Sequence, residues 1–375
     1  MPFIQEINNT SRKSPKILVA PLDWGLGHAT RCIPIIKELI EKNCEVIIAA
    51  EGPQKALLKE EFPAIRFINV QGYGLKYGRN KWATWFRIIF QIPKILIRIK
   101  RENRWLERFL LEEELDGVIS DNRYGLYSAS IFSVFITHQL HIITYFGKGI
   151  DQVLQKINYR KICRFSSCWV PDFEEAGSLA GTMAHPKKGP EIPIRYLGPL
   201  TRFKKINTGM AGPLVFLLSG PEPQRTIFEK KILAELQNYS GKAILIRGLP
   251  GETSLPEVRI NTRVCNHLPS KELNKVISES DYVIGRCGYS SIMDLAMLGK
   301  KTILIPTPGQ PEQEYLANYL FNKRIIFTTT QDSFSLESCL QSARQFSFLP
   351  VEDSGPLLFN RTINEFLLTI QTRVI

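Results

Sequence analysis

Between Ser280 and Asn318 the chain changes its apolar period three times in quick succession. Tyr282–Gly285 is an apolar run of strand length, it stops at Arg286-Cys287-Gly288, and Ile292, Leu295, Ala296 and Leu298 then recur at helical spacing. Gly299 stands where helices end, and Thr302–Pro306 reads as the next buried strand. Strand, glycine turn, helix, strand points the helix N-terminus, with its free N–H groups and partial positive charge, into the crevice at the carboxyl ends of the strands. A diphosphate suits that position, and Asp294, one turn into the helix, would accept hydrogen bonds from ribose hydroxyls. Ser291-x-x-Asp294 equally fits a capping box, in which the acid serves only the helix end. The following loop, Pro306-x-Pro308-Gly309 with Glu312, Gln313 and Glu314, sets further polar groups beside the same crevice and favours the binding reading.

The same arrangement opens the chain. Lys16–Pro21 reads as a buried strand, Leu22–Arg31 as a loop carrying Gly25-Leu26-Gly27-His28, and a helix follows to about Lys42 before a second strand, Glu45–Ala50. This predicts a doubly wound α/β domain. Thr30 stands where a dinucleotide fingerprint has its third glycine, although Glu51 after the second strand keeps a dehydrogenase reading open. At 375 residues two domains are the natural division. The polar stretch Arg202–Gly212 places the boundary near residue 200, giving domains over 1–200 and 201–350 and a C-terminal segment, 351–375, with helical period from Gly355 to Thr369.

A net charge of +12 calls for an anionic partner: nucleotide, nucleic acid or acidic membrane surface. No nucleic-acid recognition motif accompanies the charge, which argues against the second. Seven scattered cysteines form no zinc spacing and are expected to be reduced thiols in a cytoplasmic protein. The start of the chain lacks the apolar core of a signal peptide, and no uncharged run is long enough to span a membrane. No Asp-x-Asp pair is present to carry a divalent cation, so neither metal nor other cofactor is expected.

Candidate chemistry gathers at strand ends. Leu115–Ser120 delivers Asp121, and Val134–Thr137 delivers His138. With His28 they are candidates for a general base on an attacking hydroxyl, or else turn residues bonding their own backbone. In the second half, Ser219-Gly220 precedes a helix and suits phosphate, and Arg225 would add a cation. Arg286, expected to face the cleft, would stabilise charge on a leaving diphosphate. Cys168–Asp172 reads as the last strand of the first domain, and His185, in the Gly-, Pro- and Lys-rich loop that follows, is expected to be solvated. Residues 82–111 interleave Trp, Phe and Ile with Arg87, Lys94, Arg98, Lys100, Arg101, Arg104 and Arg108; Pro93 is expected to divide them into two helices. Such a stretch is either a helix with a basic solvent face or an interfacial helix meeting anionic lipid.

The segment Gly288-Tyr289-Ser290-Ser291-x-x-Asp294, followed by Glu312-Gln313, resembles the donor-binding half of glycosyltransferase family 28. That family includes the enzymes that move N-acetylglucosamine from UDP onto a lipid-linked peptidoglycan precursor. The resemblance implies the GT-B architecture: two Rossmann-like domains facing across a cleft, with the C-terminal helix returning to the first. It assigns Asp294 to the ribose, Glu312 and Gln313 to the sugar, Ser219 and Gly220 to the diphosphate, and the turn at His267-Leu268 to the uracil. Gly25, Gly27 and His28 match the family's glycine-rich loop at the cleft, though Trp24-Gly25-Leu26-Gly27-His28 is poorer in glycine. The activity implied is metal-independent, inverting transfer from a UDP-sugar to a lipid-linked acceptor of the cell envelope, at the inner membrane face with residues 82–111 against the lipid. A UDP-N-acetylglucosamine 2-epimerase would use the same architecture if Asp121, His28 and His267 converged. A non-catalytic nucleotide-sugar-binding protein is the third reading.

Overall fold

The computed structural model describes residues 14–74, 81–174, 177–206, 212–351 and 355–373; of residues 81–89 only the backbone is described. Runs such as Ile17-Leu18-Val19, Val46-Ile47-Ile48 and Val134-Phe135-Ile136 have no polar face, and they form strands covered on both sides. Seven parallel strands make the first sheet: β1 (Lys16–Pro21), β2 (Glu45–Ala49), β3 (Arg66–Ile68), β4 (Gly117–Asp121), β5 (Phe132–Ile136), β6 (Ser167–Val170) and β7 (Ile194–Tyr196). Their order is β3-β2-β1-β4-β5-β6-β7, with helices α1 (Leu26–Glu41), α2 (Gly52–Glu61), α3 (Lys81–Glu112) and α4 (Lys148–Ile162) on the connections.

The second sheet has six parallel strands: β8 (Leu214–Leu217), β9 (Ala243–Ile246), β10 (Thr262–Cys265), β11 (Val283–Arg286), β12 (Thr302–Ile305) and β13 (Phe327–Thr328). They run in the order β10-β9-β8-β11-β12-β13, with α5 (Gln224–Leu236), α6 (Ser270–Glu279), α7 (Tyr289–Met297), α8 (Pro311–Asn322) and α9 (Leu336–Gln345). Both sheets reverse direction beside their first strand, which opens a crevice at the carboxyl ends of β1 and β4 and another at β8 and β11. Each lobe is Rossmann-like.

One apolar cluster runs from the first sheet through Leu197, Leu200 and Phe203 into α7 and α8, so the lobes share a core. The last helix, α10 (Gly355–Arg373), returns to the first lobe, where Phe366 meets Phe132 and Trp169 edge-on and Glu365 pairs with Arg195. Gly117 is a glycine because a Cβ there would lie 2.8 Å from the Phe366 ring.

Three local expectations are corrected. Pro93 does not divide its stretch: α3 is continuous, and Ile99, Leu106 and Phe109 bury its inner face against the sheet, outweighing the backbone hydrogen bond that the proline removes. β6 is not the last strand of its sheet, because Ile194–Tyr196 adds the edge strand β7. His185 is not solvated: its ring lies flat on Tyr196, with centroids 4.7 Å apart, and its Nε2 is buried 3.6 Å from Asp172. Trp82 and Arg87, whose side chains were expected on the lipid face, lie outside the described side chains.

Candidate active site

The first-lobe crevice is built by register. Pro21 pairs with Asp121, and Asp121 with Ile136, so the carboxylate stands at the strand ends between the β1–α1 loop and the residues following β5. Gly25 takes φ +81°, a left-handed conformation that glycine adopts without strain, and turns the chain into α1. His28 and Arg31 follow three residues apart on one face of that helix.

Asp121 is fully buried, and Arg31 grips both its oxygens: Nε donates to Oδ2 at 2.8 Å, and Nη2 donates to Oδ1. His28 Nδ1 lies 3.0 Å from Oδ2. Against the penalty of burial, the Arg31 and His28 contacts hold the Asp121 carboxyl below its ordinary range. Burial and the Arg31 charge push the His28 imidazole below its ordinary value, which favours the neutral ring. Asp121 is therefore corrected as a general base. Arg31 holds both its oxygens, and a proton arriving there would break a buried ion pair.

His138 is corrected for the same reason. Its Nδ1 faces Arg31 Nη1 at 3.4 Å and its Nε2 faces Glu312 Oε1 at 2.9 Å, so both ring nitrogens are engaged. The ring also stacks on Tyr289, with centroids 4.2 Å apart. His28 alone of the three engages its neighbours through a single ring nitrogen, Nδ1.

The second lobe meets this cluster directly. The N-terminus of α7 abuts that of α1: Ser290 Oγ donates to the Gly27 carbonyl at 2.9 Å, and a Cβ on Gly27 would come within 2.8 Å of that hydroxyl. Gly288 is the N-cap and Ser291 lies inside the first turn, so Ser291-x-x-Asp294 is not a capping box. Asp294 is buried against the linker between the lobes, where Oδ1 accepts from Thr201 Oγ1 at 2.7 Å; burial pushes its carboxyl up, and Arg202 opposes the shift. Glu312 reaches across to His138 and Gln139 rather than lying free at its own strand end. Gln313 spends its amide on its own loop, accepting from Thr307 N–H at 2.9 Å and donating to Gln310.

Two expected cations are otherwise engaged. Arg225 is buried among Glu222, Glu229 and Thr226 and so is not a free charge for a leaving group. Arg286 belongs to β11 itself and points to the α5 side. Its guanidinium lies 4.2 Å from the centre of the Phe228 ring and donates to the Gln224 carbonyl and to Gln331. Burial without a carboxylate partner lowers its pKa to about 9. Ser219 and Gly220 follow β8 after Leu218, with Gly220 exposed at φ +98°. Leu268 is a core side chain, and His267 stands 3.6 Å from Glu60 of α2. His267 therefore does not converge with His28 and Asp121. Among the described residues no three His, Cys, Asp or Glu side chains are grouped to hold a metal ion.

Arg31, Gln139, Tyr289 and Thr201 complete this site and were not singled out from sequence. For Arg31 a signal existed: a cation three residues from His28 on a helix must share its face.

Residues 249–346 match the glycosyltransferase family 28 C-terminal domain. An uncharacterized glycosyltransferase of Methanosarcina acetivorans is 24% identical over 322 residues, covering 80% of this chain and 81% of that protein. The UDP-N-acetylglucosamine--N-acetylmuramyl-(pentapeptide) pyrophosphoryl-undecaprenol N-acetylglucosamine transferase of Buchnera aphidicola is 25% identical over 328 residues, covering 83% and 84%. The crystal structure of the glycosyltransferase SnogD from Streptomyces nogalater superposes with a TM-score of 0.54 at 14% identity, over 96% of this chain and 95% of that one. With two facing Rossmann-like lobes, the chain is a glycosyltransferase of the GT-B architecture whose second lobe, over residues 249–346, is similar to the family 28 C-terminal domain.

Proposed function

We propose that this glycosyltransferase moves a sugar from a UDP-sugar, UDP-N-acetylglucosamine or a UDP-hexose, to a hydroxyl of a lipid-linked acceptor, with inversion and without a metal. The observation that carries the reading is His28, whose Nδ1 is backed by the buried Asp121 at 3.0 Å in the cleft where the first turns of α1 and α7 meet. A neutral imidazole backed by a carboxylate takes the proton of an attacking hydroxyl, and Asp121 stabilises the imidazolium that results. The N–H groups of the first turn of α7, from Gly288 to Ser291, meet the charge of the departing diphosphate. Asp294 holds the ribose, exchanging its Thr201 contact for the sugar hydroxyls. The Buchnera relative, named as an enzyme that uses UDP-N-acetylglucosamine and an undecaprenol-linked acceptor, supports the choice of donor and acceptor.

The lipid side of the reading rests on a surface of the first lobe. Along α3, Phe90 is 81% exposed and Ile92, Leu96 and Ile97 are exposed beside Lys94, Lys100 and Arg101. On α4, Ile150, Val153 and Ile157 are also exposed, at helical spacing. Tyr124 joins the two helices, packing by Ile95 and Ile99 of α3 and donating to Asn158 of α4. Apolar side chains among cations suit an anionic bilayer surface. Among the described residues no helix is long and apolar enough to cross a membrane.

The test is a nucleotide-sugar panel read by thermal shift, then turnover with polyprenyl-linked acceptors, with and without EDTA. UDP-sugars should raise the melting temperature by mass action, and turnover should survive EDTA. No shift with any UDP-sugar removes the donor assignment.

A further inference from the structure

We infer that Arg247 is a positioning residue for the base end of the donor: with Glu229 it ties the loop after β9 to the end of β10, and so sets the turn against which the nucleobase lies. The inference rests on the reading of the second lobe as a UDP-sugar site, and it names what shapes one end of that site.

Two contacts place the base end. The ribose is proposed on Asp294, whose Oδ1 accepts from Thr201 Oγ1 at 2.7 Å; the next residue, Arg202, donates to Ser270 Oγ at 3.1 Å, at the start of α6. The turn over residues 266–269, between β10 and α6, therefore adjoins the ribose position. A nucleotide with its phosphates at the first turn of α7 lays its base along the carboxyl ends of β8, β9 and β10, toward this turn.

That edge is held by ions. Arg247 directly follows β9, and Asn266 directly follows β10. Arg247 Nε donates to Glu229 Oε1 of α5, and Nη2 donates to Oε2 at 3.4 Å. Its Nη1 donates to Asn266 Oδ1 and to the Ser254 carbonyl, both at 2.7 Å. Asn266 Nδ2 in turn donates to the carbonyls of Glu252 at 2.8 Å and Ser254 at 3.1 Å, and the Leu249 N–H donates to the Asn266 carbonyl at 2.8 Å. A guanidinium only donates, and carboxylates and carbonyls only accept, so every one of these bonds has a fixed direction and the amide of Asn266 fits in one orientation. On the far side, Arg225 Nη1 donates to Glu229 Oε2 at 3.1 Å, and Arg225 Nε donates to Glu222 at 2.6 Å. One polar chain thus runs from the loop after β8, through α5, to the turn after β10.

The burial is one-sided. Arg225 and Glu229 are buried and Arg247 nearly so, whereas residues 251–255 of the loop they hold are exposed. Buried ion pairs add little stability over apolar packing of the same volume. Buried charge beneath an exposed loop is accounted for by the place it gives that loop. Gly248 presses the same loop against β8: it takes φ +68°, and a Cβ there would lie 2.4 Å from the Leu218 carbonyl.

Titration calorimetry of the full-length chain with UDP, ADP, GDP and dTDP, inhibition by inorganic pyrophosphate, and UDP-sugar kinetics test this on the unsubstituted protein, Arg247→Lys and Asn266→Ala. Arg247→Lys keeps the charge beside Glu229 but has no fork to reach Ser254 and Asn266 at once. It should weaken UDP about tenfold and raise the UDP-sugar KM about tenfold, with kcat changed less than about threefold and pyrophosphate inhibition within about twofold, as when binding shared by ground and transition states is lost. Asn266→Ala leaves no buried charge unpaired; it should shift the same quantities in the same direction, and it decides the matter should Arg247→Lys fail to fold. A general loosening of the lobe would move kcat and pyrophosphate together with UDP and would overturn the inference, as would unchanged UDP affinity in both variants. A chain that binds another nucleoside diphosphate in place of UDP removes the donor reading, and the variants then decide the inference on that nucleotide. A chain that binds none of the four removes both.

Discussion

His28 and Asp121 make different demands on the chain, and substitution separates them. His28→Ala removes the proposed base and should lower kcat by about 10²–10⁴-fold while UDP still binds, as single-turnover and titration measurements would show. Asp121→Ala leaves the buried Arg31 cation without its counter-ion. It should cost about 3–5 kcal/mol in urea denaturation besides abolishing turnover. The pH dependence follows from both groups. The folded His28 pKa is depressed, so as pH falls the unfolded chain protonates first; this contribution is intact above the unfolded histidine value of about 6.5 and is lost below it. Asp121 is depressed too, and its contribution, present above about 3.9, is lost as pH falls further through its folded value. Stability should therefore decline in two stages on acidification, and His28→Gln should shrink the first to the part that His267, also depressed by burial, contributes. Of these residues the sequence disclosed His28, Asp121 and His138 because strand-end loops deliver them. It did not disclose how each is engaged, since Arg31 and Glu312 decide that from other elements.

The helices that meet at the cleft carry two further expectations. Gly27→Ala sets a Cβ against Ser290 Oγ, on the contact where α1 and α7 touch. The lobes must separate by a few tenths of an ångström, and kcat should drop about tenfold or more with little change in melting temperature. On α3, Phe90→Asp with Ile97→Asp places charge where an apolar contact with lipid is proposed. Flotation with anionic vesicles should fall severalfold while UDP affinity holds; unchanged flotation would remove the membrane role from this face. The strands and the glycine turns were readable because parallel strands buried on both faces are continuous apolar runs with glycine at their ends. Pro93 misled because propensity counts the lost hydrogen bond and not the burial of Ile99, Leu106 and Phe109 that follows it. Arg286 misled because one residue of strand period decides which face of a sheet a side chain takes, and the apolar run ended one residue too early to include it.

The two-lobe organisation was legible from length and from the repeated strand–glycine–helix unit, whereas the shared apolar core between the lobes was not. Leu197, Leu200 and Phe203 read as linker, and only their burial against α7 makes them core. The last helix was legible from its period, but its return to the first lobe came from the resemblance alone. Phe366→Ala should cost about 3–5 kcal/mol, because the ring fills the space that Gly117 leaves open beside Phe132 and Trp169. That helix also gives the molecule a particular order of assembly. The first sheet is written before residue 197, yet the wall that seals its Trp169 side is written after residue 354, with the whole second sheet between them. A ribosome therefore completes the second lobe while the first still shows an open apolar flank. The chain thus passes between its halves twice, outward before β8 and back before α10.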